Sequence, residues 1–164
     1  MPMTNGMYTS NTPEWETPQD LFDSLNHEFH LTLDIAASNE NHKCPSYYTK
    51  DEDGLAHIDE WKGNIWCNPP YGRVIGDWVK ACSEYDRGVA VMLLPARVDT
   101  RWWHDYIWSN PKVAEVRFIK GRLHFNNRKS AAPFPSCVVV FDYRRDKYAE
   151  NPAQRLSGNR YADA

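Results

Sequence analysis

The 164-residue chain predicts a single α/β domain, a trimmed and mostly parallel sheet with helices on both faces. Three observations carry that reading. Val89-Ala90-Val91-Met92-Leu93-Leu94 is an unbroken apolar run of strand length, as expected for a parallel strand covered on both sides. Apolar residues recur at helical spacing before and ahead of it, at Leu21, Phe22, Leu25 and Phe29 and again at Ile75, Trp78, Val79 and Cys82. Short strand-like runs alternate with these helices along the chain.

In chain order, the polar stretch 1–13 predicts a flexible lead, 14–145 the folded domain, and the polar stretch 146–164 a flexible tail. Thr17-Pro18-Gln19-Asp20 predicts a helix start, with Thr17 as N-cap, Pro18 at the first helical position and Asp20 near the positive end. His27 and His30 then fall on the exposed side of the helix end. Leu31 to Ala36 alternates as a short strand that runs into the polar loop Ser38-Asn39-Glu40-Asn41. From Cys44 to Gly63 the pattern weakens, with a turn at Asp51-Glu52-Asp53-Gly54 and Trp61 as an anchor. Further strands are expected at Asn64 to Cys67, Val89 to Leu94, Glu115 to Lys120 and Ser136 to Tyr143, with a helix through Thr100 to Trp108. Ligands of such sheets bind beyond the carboxyl ends of the strands. Asp34 to Ala37, Asn68 to Tyr71 and Leu94 to Arg97 all follow strands in this way.

Composition narrows the functional class. No apolar run approaches the length of a membrane span and the start of the chain lacks a signal-peptide core, so a soluble intracellular protein is expected. Cys44, Cys67, Cys82 and Cys137 are scattered and predict reduced, buried thiols. His27-x-x-His30 and His42-Lys43-Cys44 do not make a four-ligand zinc pattern, so no metal is expected. The net charge of −3 conceals an asymmetry. Residues 1–96 hold 6 Lys and Arg against 15 Asp and Glu, whereas residues 97–164 hold 13 against 7. The basic half is suited to face phosphates.

The most informative segment is Asn68-Pro69-Pro70-Tyr71, directly after Ile65-Trp66-Cys67. Two prolines end the strand and predict a rigid row of carbonyl acceptors, beside an amide that both donates and accepts and a ring that can stack. That set of groups suits a planar amine, although Asn-Pro also marks ordinary turns.

The ordered set Glu14-Trp15-x-Thr17-Pro18, Leu33-Asp34-x-Ala36-Ala37-Ser38-x-Glu40-Asn41, Asp53-Gly54-Leu55, Trp61-x-Gly63, Trp66-x-Asn68-Pro69-Pro70-Tyr71-Gly72 and Pro133-Phe134-Pro135-Ser136 resembles the phage DNA adenine methyltransferases of the Dam-like family. The resemblance spans about residues 14–143. It implies a Rossmann-like, S-adenosylmethionine-dependent methyltransferase that acts on DNA in the cytoplasm of a bacterial host. By the same resemblance, Asn68, Pro69, Pro70 and Tyr71 would be catalytic, with the Asn68 oxygen and the Pro69 carbonyl accepting the adenine amine and Tyr71 stacking on a flipped base. Thr17, Pro18, Asp34, Ala36 and Asp53 are the cofactor candidates. Asp34 has a second reading as a helix-capping or turn aspartate, and Asp53-Gly54 reads equally as a common turn.

Two departures stand out. The loop after the first strand, Asp34-Ile35-Ala36-Ala37-Ser38, has no Gly-x-Gly, so the small alanines must let a cofactor approach. Only 33 residues separate Asp34 from Asn68, which leaves room for few intervening strands. For DNA, Arg117, Lys120, Arg122, His124, Arg128 and Lys129 interleave with Phe118 and Phe125, a pattern suited to phosphate contact and stacking and equally that of a solvated surface. Two rival functions share these residues: a methyltransferase of RNA or of protein glutamine, and a DNA-binding module without catalysis.

Overall fold

The computed structural model describes residues 15–152, and the lead 1–13, together with most of the tail, lies outside them. Six strands form one sheet: β1 Leu33–Ala37, β2 Ser46–Thr49, β3 Ile65–Cys67, β4 Val89–Pro95, β5 Val113–Phe118 and β6 Ser136–Asp142. Their spatial order is β2-β1-β3-β4-β6-β5. The pairs β1–β2, β1–β3 and β3–β4 are parallel, while β6 runs antiparallel to both β4 and β5. Five strands therefore share one direction and β6 alone is reversed, a trimmed and mostly parallel sheet as expected.

Helix α1 spans Gln19–Phe29 and α2 spans Ile75–Glu84. The side-chain alternation of β4 explains why both faces need cover. Val89, Val91 and Leu93 pack with Phe22 and Leu25 of α1 and with Phe125 and Phe134. Ala90, Met92 and Leu94 pack on the other face with Ile75, Val79 and Cys82 of α2 and with Trp103 and Ile107. All seven residues of β4 are buried, which is why that strand reads as a continuous apolar run. The four cysteines are buried free thiols.

The structure corrects several expectations. Thr17 does not cap α1: Pro18 occupies the cap position and its carbonyl accepts from Phe22 N at 3.2 Å, while the Thr17 hydroxyl bonds elsewhere. The expected helix from Thr100 to Trp108 is a short α3, Arg101–Trp103, that widens into a π-helical turn at His104–Trp108. The aperiodic stretch from Cys44 to Gly63 holds the edge strand β2 and a 3-10 segment, Gly54–Glu60. Gly54 is obligatory there, because a Cβ would sit 2.1 Å from the Ile35 carbonyl oxygen of β1. Within the stretch expected as a tail, the buried Asn151 donates to the carbonyls of Ile107 (2.6 Å) and Asn110 (2.9 Å). Among the described residues no helix is long and apolar enough to cross a membrane.

Candidate active site

Because β1 and β3 are parallel neighbours, their carboxyl ends open on the same edge of the sheet. A cleft of about 640 Å³ lies there, within the size range of small-molecule sites. Asp34, Ala36 and Ala37 of β1 line it, as do Asn68 and Pro70 after β3, Asp53 and Gly54, and Trp15 and Thr17 ahead of α1. The cleft thus gathers residues that the sequence scatters over more than fifty positions. Pro69 is buried outside it, and Pro18 lines a neighbouring groove with Arg122.

Asn68 is held by its nitrogen. Its Nδ2 donates to the Trp15 carbonyl and to Thr17 Oγ1, the latter at 3.0 Å. The reversed amide would press Oδ1 against the Trp15 carbonyl, two acceptors face to face, so the oxygen is turned away from both. Oδ1 is buried and has no hydrogen-bond partner. Leaving a buried acceptor unpaired costs about 1–3 kcal/mol, a penalty that an incoming N–H donor relieves.

Asp34 is almost fully buried, and each of its oxygens accepts a backbone N–H, from Ala36 at 3.3 Å and from Lys43 at 2.9 Å. Burial pushes its carboxyl up to about 6, against the pull of those hydrogen bonds. The same contacts fold the 38–43 loop back over the end of β1. Asp53 is exposed, takes a positive φ of 56° and accepts from Leu55 N at 3.2 Å, so the turn and the cleft wall coincide in one residue.

Tyr71 is half-buried, with its ring edge-on to Phe134 (5.4 Å between centroids) and Phe125 (6.5 Å). Its hydroxyl is buried without a partner, and desolvation raises its pKa well above the usual phenol range. Arg128 lies at the mouth of the cleft with its guanidinium 5.5 Å from the Trp15 ring. Lys120, Arg122 and Lys129 are exposed on the same loop. Arg117 is paired within the protein. Its guanidinium is engaged by Glu28 (2.7 Å) and Glu115 (2.5 Å) and lies over Phe29, so it ties β5 to α1.

A model of the DNA N-6-adenine-methyltransferase (Dam) family matches residues 7–149. The chain belongs to this family. It is 31% identical over 121 residues to the DNA N-6-adenine-methyltransferase of Escherichia phage T1, a match covering 70% of this chain and 50% of that protein. It is also 38% identical over 64 residues to YfdM of Escherichia coli (strain K12), whose methyltransferase name is provisional; that match covers 35% of this chain and 70% of YfdM. The chain therefore spans about half the length of its phage T1 relative.

The cleft of this Dam-family chain also holds a residue that the sequence did not single out. Asn126 lines the cleft, its Oδ1 accepts from Glu16 N (2.5 Å) and its N–H donates to the Glu16 carbonyl (3.1 Å). Asn126 has φ 55°, a conformation that asparagine tolerates better than most residues, and that tolerance is the one local signal it offers. Trp15, part of the Glu14-Trp15-x-Thr17-Pro18 set, packs on Phe125 and Phe134, forms part of the cleft wall and supplies a main-chain acceptor that no side-chain motif reveals.

Proposed function

We propose that this protein transfers a methyl group from S-adenosylmethionine to the exocyclic amine of adenine in DNA. One observation carries the reading: a buried, partnerless amide oxygen on Asn68, fixed in direction and followed at once by two prolines, at a cleft in a chain of the Dam family.

The adenine amine is a weak nucleophile because its lone pair is delocalised into the ring. Asn68 Oδ1 would accept one of its N–H bonds, and the Pro69 carbonyl would accept the other. Both acceptors strengthen their bonds as positive charge develops on the nitrogen, so they favour the transition state over the bound base. Asp34, Ala36, Ala37 and Asp53 would hold the cofactor; the donor set fits, since the alanines leave room beside the β1 backbone and carboxylates face a cationic ligand. When bound, S-adenosylmethionine supplies an electrophilic methyl group on a sulfonium. Thr17 lines the same cleft and accepts a hydrogen bond from Asn68.

In duplex DNA the amine must leave the stack to meet such acceptors. Tyr71, braced by Phe125 and Phe134, would stack on the flipped base, a contact worth about 1–3 kcal/mol. Arg122, Arg128, Lys129 and Lys120 would meet phosphates. The reaction belongs in the cytoplasm of a bacterial host, where both cofactor and DNA are found.

The test offers DNA, RNA and protein side by side with labelled S-adenosylmethionine and reads the products by nucleoside and peptide mass spectrometry. N6-methyladenine in DNA is expected, and Asn68→Ala should remove it while leaving the thermal midpoint near that of the wild type. Methyl groups found only in RNA or protein would overturn the reading.

A further inference from the structure

We propose that Thr17 is a positioning residue that sets the orientation of the Asn68 amide. The inference rests on the reading of Asn68 as the acceptor for the reacting amine. An amide side chain has two N–H bonds and one oxygen, and its reactive use here requires the oxygen to point one way only. Asn68 Nδ2 is engaged by two acceptors supplied by one short segment, the Trp15 carbonyl and Thr17 Oγ1 at 3.0 Å. With both protons held, the amide cannot swing about its last torsion without losing two bonds. Thr17 is itself buried, 3% exposed, so no water can replace its hydroxyl.

That segment is anchored in turn. Glu16 N donates to Asn126 Oδ1 and Asn126 N donates to the Glu16 carbonyl, a two-bond bridge to the loop that carries Arg122 and Arg128. The aromatic ring of Trp15 sits edge-on to Phe125 and Phe134 at 5.5 and 5.3 Å. Segment 15–17 is thus a strap pinned at one side to the basic loop and at the other to Asn68. Whatever displaces the strap turns the amide.

Thr17→Val keeps the shape and removes the acceptor, and Thr17→Ser restores it. Methyl transfer to adenine is measured at saturating DNA and S-adenosylmethionine, alongside cofactor affinity by calorimetry. Thr17→Val should lower kcat about tenfold or more, as small misplacements at a reacting centre do, with cofactor affinity within about twofold of the wild type. Thr17→Ser should recover most of the rate. A second readout needs neither cofactor nor DNA. The Asn68 side-chain amide resonances, assigned by their loss in Asn68→Ala, should shift and exchange faster with water in Thr17→Val. Weaker cofactor binding with unchanged kcat would overturn the proposal and make Thr17 a cofactor contact. Equal loss in Val and Ser variants, or unmoved amide resonances, would overturn it as well. Failure of the underlying reading is separately visible, since the wild type would then form no N6-methyladenine or Asn68→Ala would retain activity.

Discussion

At the scale of single residues, Asp34 shows how a buried group can organise the site at a cost to the fold. Its carboxyl holds two backbone N–H groups in place, yet desolvation lifts it from 3.8 to about 6. A carboxylate raised in the folded state favours folding at low pH, and that contribution is lost as pH rises through the folded value. The gap corresponds to roughly 3 kcal/mol. The stability of the wild type relative to Asp34→Asn should therefore fall by about that much between pH 3, below the unfolded value, and pH 7, above the folded one, measured by chemical denaturation at each pH. A pH-independent difference would show that Asp34 titrates normally. Asn68 offers the opposite arrangement: its nitrogen is doubly satisfied and its oxygen is kept unpaired. One residue spends stability on loop shape, and the other holds an acceptor in readiness.

At the scale of elements, the 3-10 segment Gly54–Glu60 packs directly on β1. Gly54→Ala would place a methyl 2.1 Å from the Ile35 carbonyl, and backbone cannot yield as a side chain does. A destabilisation of about 2–4 kcal/mol is expected, seen as a lower denaturant midpoint, and an unchanged midpoint would refute the close approach. This segment was not legible in the sequence, and neither was β2. Ser46-Tyr47-Tyr48-Thr49 is an edge strand with an exposed or half-buried surface, so it has no reason to show the apolar alternation that betrays a strand. By contrast β4 and β6 were legible because burial on both faces imposes a continuous apolar run, and α2 because burial of one face imposes a helical period. The candidate site divides along the same line. Asn68 and its prolines form a local pattern. The partners of Asn68, Trp15 and Thr17, lie over fifty positions away, and the pairing of Arg117 with Glu28 spans 89, so no local pattern contains them.

At the scale of the whole molecule, the basic second half of the chain places Lys120, Arg122, Arg128 and Lys129 on one loop beside the cleft, with Arg117 withdrawn into ion pairs. Each phosphate contact steepens the dependence of DNA affinity on salt by about 0.9 in log–log slope. Arg122→Ala with Lys129→Ala should therefore weaken DNA binding and flatten that slope by about two, with cofactor affinity unchanged in calorimetry. A slope equal to that of the wild type would mean that these cations do not meet the backbone. The order β2-β1-β3-β4-β6-β5 has a consequence for biosynthesis. β6, the last of the described strands in the chain, is inserted between β4 and β5, so a nascent chain that has made everything up to Phe118 still has the facing edges of β4 and β5 unpaired. Pairing across such a separation is slow and leaves apolar β4 open to aggregation until residues 136–142 arrive. The six strands can form one continuous sheet only when synthesis has passed Asp142, and a ribosome stalled before Ser136 would hold a species recognisable by chaperones.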